Sequence, residues 1–224
     1  MPRRSLFAFV VVVAAAAVLT PFAVARAGDR GADNLPPESG LTVKGDVKAA
    51  AIDMSGAQPA PQRTDQLALE PTDVPGLFYC REYYIWSYAA ARYVAEEQAF
   101  TGARHNLLRA RTPAGQTGAW ERFDICSEDS GHTVYLRAAS DYLVTAEYNL
   151  TGKGAGQLRG RGEWVESWET FDVWSDSKGY YLRSTAKGWY MTCRVDYIGD
   201  SYQTMKATGG APGSWEALRF DPVD

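Results

Sequence analysis

The sequence is short of the residues that most chemistry needs. It holds two histidines, three cysteines and four methionines in 224 residues. His105 and His132 each stand alone in polar surroundings. No Gly-x-Ser-x-Gly, His-Glu-x-x-His or phosphate-loop pattern occurs, so hydrolytic and nucleotide-binding sites have no motif to build on. No Cys-x-x-Cys is present, so a zinc site lacks support, and neither a metal nor any other cofactor is expected. Basic residues are not in excess either: 23 Lys and Arg face 27 Asp and Glu, with no basic tract. That charge balance argues against a nucleic-acid or anionic-membrane partner.

Trp and Tyr are missing from the first third of the chain and abundant in the rest. All seven Trp and all 13 Tyr lie after Phe78. Ahead of them, Arg3 and Arg4 precede an apolar run from Leu6 to Leu19, and Ala25-Arg26-Ala27 fits the small-x-small rule for signal cleavage. Residues 1–27 are therefore read as a signal peptide. Its removal takes away three arginines and leaves 20 basic against 27 acidic side chains, a net charge of −7. Residues 28–72 carry Pro36, Pro37, Pro59, Pro61 and Pro71, no aromatics and no sustained periodicity. Such a segment buries too little apolar area to offset its ordering entropy, and it reads as a disordered linker or propeptide. Composition permits one short helix there, over Val47 to Met54. Export allows a disulfide. With Cys80, Cys126 and Cys193 at most one bridge can close, and the spacing does not say which.

From residue 73 onward, short apolar runs alternate with Gly, Asp and Asn clusters, the texture of strands and turns. An internal repeat organises them. Trp120-Glu121-Arg122-Phe123, Trp168-Glu169-Thr170-Phe171 and Trp215-Glu216-Ala217-Leu218 are spaced by 48 and 47 residues. Upstream of each lie matched strands: Leu108-Arg109-Ala110, Leu158-Arg159-Gly160 and Met205-Lys206-Ala207, then Tyr93-Val94-Ala95-Glu96, Leu143-Val144-Thr145-Ala146 and Tyr190-Met191-Thr192-Cys193. Tyr135-Leu136-Arg137 and Tyr181-Leu182-Arg183 open two of the units, with Tyr84-Ile85-Trp86 a weaker first copy. Each unit of about 48 residues thus holds four strands, roughly 76–125, 126–173 and 174–224. One unit cannot bury its apolar face alone, whereas three around an axis close a barrel and share a core. The expected fold is an all-β β-trefoil of twelve short strands over residues 73–224. A three-bladed propeller is the competing architecture.

The two Trp-Glu-x-Phe motifs at 120–123 and 168–171, each followed by Asp (Asp124, Asp172), resemble the fascin family of actin-bundling β-trefoils. The third copy departs, with Leu218 in the Phe position and Phe220-Asp221 two residues later. The resemblance covers residues 78–222 and implies the trefoil fold. It implies no carried-over actin contact, because fascins use several such domains in tandem and this chain has one. The Gln-x-Trp tripeptide of ricin-type sugar binders is absent.

Symmetry sorts the aromatics. Trp120, Trp168 and Trp215 recur in every copy, which assigns them to the shared architecture and predicts burial. Their neighbours Glu121, Glu169 and Glu216 are expected to make ordered hydrogen bonds near a strand start. Trp86 stands where the other copies have Arg137 and Arg183. Trp189 aligns with Tyr142 and Arg92, and Trp164 and Tyr197 lie in connections without aromatic counterparts. These four, Trp86, Trp164, Trp189 and Tyr197, are the ligand-binding candidates, since exposed Trp and Tyr faces stack on sugars or anchor proteins. The sequence thus predicts a secreted, monomeric, non-enzymatic binding module whose partner is an extracellular glycan, with no membrane contact after signal cleavage. The alternative is a fascin-like protein-interaction or cross-linking domain. A small secreted hydrolase or inhibitor ranks last.

Overall fold

A computed structural model describes residues 46–60 and 78–224. The signal peptide and most of the expected linker lie outside these residues. The described part is all β, joined into one antiparallel sheet. Its strands are β1 (Lys48–Ala49), β2 (Gln58–Pro59), β3 (Tyr79–Ser87), β4 (Arg92–Glu97), β5 (Leu107–Thr112), β6 (Arg122–Ser127) and β7 (Thr133–Arg137). They continue with β8 (Leu143–Glu147), β9 (Gln157–Gly162), β10 (Thr170–Asp176), β11 (Gly179–Ser184), β12 (Tyr190–Arg194), β13 (Thr204–Gly209) and β14 (Leu218–Pro222).

Strands β3, β6, β7, β10, β11 and β14 pair in turn and close on themselves. Hairpins β4–β5, β8–β9 and β12–β13 extend from this ring, and their second strands meet through the pairs Thr204↔Arg109, Lys206↔Gln157 and Leu107↔Arg159. Closure leaves few exposed edges. The threefold relation is visible in the backbone. A β-bulge recurs at Tyr93/Val94, Leu143/Val144 and Tyr190/Met191. Each hairpin tip opens a short 3-10 turn with a left-handed glycine, Gly102, Gly152 or Gly199, a conformation that side chains with a Cβ resist. The core draws on all three copies, with Ile85, Phe123, Leu136, Phe171, Leu182 and Leu218 wholly or almost wholly buried.

The expected β-trefoil of twelve strands is corrected to a closed antiparallel barrel sheet of fourteen. The two additional strands come from residues 46–60, inside the segment that composition assigned to a linker. Their physical cause is the length of β3 and β10. Strand β3 pairs with β14 only from Tyr83, so its edge at Tyr79 and Cys80 is open, and β2 fills it. Strand β10 pairs with β7 only through Thr170–Asp172, and β1 fills its edge at Trp174 and Ser175. Between them Ile52 is buried in the core, and its carbonyl comes so close to Gly131 that a Cβ there would lie 2.3 Å away. The helix permitted over Val47–Met54 does not form, because these backbone groups bond to the barrel instead: Ala50 N–H to Val173 O at 2.9 Å and Ile52 N–H to Gly131 O at 3.1 Å. The Tyr83 hydroxyl donates to the Asp53 carbonyl, and a cavity of about 110 Å³ lies beneath this strap.

The pairing left open by the sequence is resolved across β3 and β6. Cys80 and Cys126 face each other in register and form a disulfide with Cα atoms 4.0 Å apart. Cys193 is a free, buried thiol that burial pushes up to about 12, so it is an inert core residue.

Candidate functional site

The repeated Trp-Glu motif does not work as symmetry suggested. None of the three tryptophans is buried. Trp120 and Trp215 are half-buried, and Trp168 is 36% exposed. The buried member is the glutamate, with Glu121, Glu169 and Glu216 all removed from solvent. Each pins the turn before a barrel strand to the base of a hairpin. The Thr112 hydroxyl donates to Glu121 at 2.7 Å, and the Gly118 N–H donates to its other oxygen at 2.7 Å. The Thr192 hydroxyl donates to Glu216 at 2.9 Å, and the Glu166 N–H donates to Glu169 at 3.2 Å. The hydroxyl changes strand between copies. The first copy has Ala95 with Thr112 across the bulge, whereas the others have Thr145 and Thr192 facing Gly162 and Gly209. At both glycines a Cβ would crowd the threonine hydroxyl and the glutamate. The motif is thus conserved around its acid. The tryptophan contributes mainly its backbone, with Trp168 O accepting from Ala146 N–H and Trp215 O from Cys193 N–H, both at 2.9 Å. Its side chain is free to face outward.

What the side chain meets differs by copy. Trp120 and Trp215 lie under the guanidinium groups of Arg111 and Arg194, each 5.8 Å from the ring. Trp168 instead meets Tyr148 edge-on at 5.9 Å, and Tyr148 meets Trp189 edge-on at 5.7 Å. The positions matching this trio are Gln98, Trp120 and Tyr142 in one direction and Val195, Trp215 and Arg92 in the other, so only one copy assembles three aromatics. Burial pushes the Tyr148 phenol up to about 12. The connection leading to Trp168 adds Trp164, 61% exposed, and exposed Val165. Polar groups border this surface: Ser167 and Thr185 are exposed, with the Thr185 hydroxyl bonded to Ser167 O at 3.1 Å and to the Thr170 hydroxyl at 2.6 Å. An apolar aromatic face with hydroxyls at its edge suits a ligand that has both C–H faces and hydroxyls.

The four candidates from the sequence do not converge on one site. Trp189 belongs to the aromatic trio, and Trp164 lies four residues before Trp168 on the exposed connection. Trp86 is half-buried elsewhere, edge-on to Tyr93 at 4.8 Å with the Arg219 guanidinium 5.3 Å from its ring. Tyr197 is half-buried in the third hairpin against Arg194. Sequence reasoning missed Tyr148 and Trp168. Tyr148 was legible, since its matched positions are Gln98 and Val195. Trp168 was hidden by its own recurrence. Both histidines are exposed and bond to backbone carbonyls, His105 to Phe100 O and His132 to Ala50 O. Among the described residues no cluster of three His, Cys, Asp or Glu side chains has the geometry to hold a metal.

No family model and no curated protein matches the chain. Solved structures do. A designed threefold-symmetric protein, ThreeFoil, superposes with a TM-score of 0.52 at 14% identity, covering 63% of this chain and 99% of its own. The Rhizoctonia solani agglutinin gives 0.50 at 11%, covering 69% and 100%. The Polyporus squamosus lectin, solved with the epitope Neu5Acα2-6Galβ1-4GlcNAc, gives 0.51 at 13%, covering 67% of this chain and 51% of the lectin. These are trefoil-type, lectin-like folds, and at such identities the likeness is one of fold alone. They do not show a fascin-type likeness in particular.

Proposed function

We propose that the protein is a secreted, non-catalytic carbohydrate-binding module that takes its glycan on the face formed by Trp168, Tyr148 and Trp189, with Trp164 at the rim. The observation that carries this reading is the off-symmetry aromatic trio. A barrel core needs the same residues three times, whereas a ligand needs only one of three related faces. Fold likeness to an agglutinin and to a lectin solved with a sialylated epitope supports it at the level of architecture. The Cys80–Cys126 disulfide is consistent with an oxidising, exported setting. The fascin-like alternative draws on the Trp-Glu motif, and that motif is accounted for by the buried hydrogen bonds of its glutamate. Screening the mature chain on a glycan array and on immobilised cell-wall and plant polysaccharides tests the proposal. Retention by a defined glycan class is expected, and absence of retention on every surface would sink it.

A further inference from the structure

One threefold position carries opposite charges in different copies. Glu97 and Glu147, both buried, accept ion pairs from the next strand: Glu97 from Arg109 and Arg111 at 3.2 and 2.8 Å, and Glu147 from Arg159 and Arg161 at 3.3 and 2.6 Å. The matching residue in the third hairpin is Arg194, 3% exposed, and Lys206, 1% exposed, takes the place of Arg109 and Arg159. The acid is therefore missing from this position in the third hairpin, where two buried cations sit together and the nearby carboxylate, Asp196, contacts Arg194.

Arg194 is held by Asp196, its Nε donating at 2.8 Å, and that bond holds the Asp196 carboxyl below the usual carboxylate range. Lys206 has no such partner: among the described residues no carboxylate lies within ion-pair distance of it. Its Nζ donates only to the Tyr197 hydroxyl, at 3.3 Å. Burial, followed by the charge of Arg194, pushes it down to about 8. The Tyr197 ring covers the pair, 4.2 Å from the Arg194 guanidinium and 5.4 Å from Lys206 Nζ. The exposed ammonium of Lys153 from the second hairpin also lies 5.5 Å from that ring. Asp196 acts on Lys206 only at a distance and does not offset its burial. A buried ammonium with no carboxylate in contact is costly, and an incoming anion recovers that cost.

We propose that the third hairpin is an oxyanion site, in which a sulfate ester, carboxylate or phosphate of a ligand takes the place of the missing glutamate. The anion enters beside Tyr197, bonds to Lys206 and Arg194, and is closed over by Lys153. This site is separate from the Trp168 face and stands or falls independently of it. The mature chain carries a net charge of −7, so a polyanion has no general attraction to it and must find a local one.

The test follows Trp fluorescence of the mature chain, with Trp215 reporting through Arg194, during titration with sulfated dextran, polygalacturonate and inorganic phosphate. Neutral dextran serves as the blank. Binding of at least one anion is expected, with phosphate competing if the group alone is recognised and failing to compete if the polymer chain is also required. Lys206→Met should weaken binding about tenfold, since one charge-assisted bond is worth about that much, and Lys153→Gln should weaken it severalfold. Lys48→Gln, an exposed change on β1, should leave it unchanged. If Lys206→Met fails to fold, the comparison of Lys153→Gln with Lys48→Gln decides. Equal effects of those two, or no anion bound at all, would overturn the site.

Discussion

Glu216 shows how one buried residue sets a pH dependence. It is 0% exposed, and loss of hydration raises its carboxyl from 4.5 to about 7 despite the bond from Thr192. Between about pH 4.5 and about pH 7 the folded chain keeps a proton that the unfolded chain releases. The native state binds more protons across that window, so stability is fully present below it and is lost as pH rises through it. The loss attributable to this residue is on the order of 3 kcal/mol. Glu169, raised by the same desolvation, acts in the same direction. Urea denaturation of the wild type and of Glu216→Gln between pH 4 and 8 should show the wild type losing stability relative to the variant as pH increases. Parallel curves would refute the assignment. The acid's burial also explains what the sequence did not reveal. Trp and Glu recur equally often, so recurrence alone cannot say which of the two faces the interior. Only the Thr112/Gly162/Gly209 exchange across the hairpin identifies the glutamate as the fixed point.

At the scale of elements, the three hairpins were legible because each repeats its bulge, turn glycine and apolar strand at a spacing of 47 to 50 residues. Strands β1 and β2 were not legible. Two residues have no alternation to read, and Pro59 and the surrounding polar residues resemble a linker until the open edges of β3 and β10 are known. Two predictions belong here. Replacing Ile52, the one core residue of the strap, by Ala should cost about 3 kcal/mol, seen as a lower urea midpoint. A surface linker would show no change. Reducing the Cys80–Cys126 bridge, which spans 46 residues, should cost about 4 kcal/mol by loss of loop constraint. Thermal unfolding with and without reductant measures it, and an unchanged midpoint would mean the bridge does not form in solution.

For the whole molecule, departures from threefold symmetry divide the surface into regions with different capacities. The core is shared by all copies and is indifferent to which of them a ligand uses. The aromatic trio occurs in one copy and the buried Lys206, with no carboxylate in contact, in another, while the first copy offers Trp120 under Arg111. Symmetry breaking, more than any motif, is what the sequence offers as a guide to function. It singled out Trp164 and Trp189 as candidates, and it passed over Trp168 because only the neighbours of that residue differ between copies. The central claim is therefore a comparison of equivalent positions. Calorimetric titration of a retained glycan into Trp120→Ala, Trp168→Ala and Trp215→Ala, each first confirmed to be folded, tests it most directly. The account predicts that Trp168→Ala binds at least about tenfold more weakly, as loss of a central aromatic anchor does, while the other two stay within about twofold of the wild type, as residues away from the contact do. Equal losses at all three, or a loss confined to Trp120 or Trp215, would contradict it.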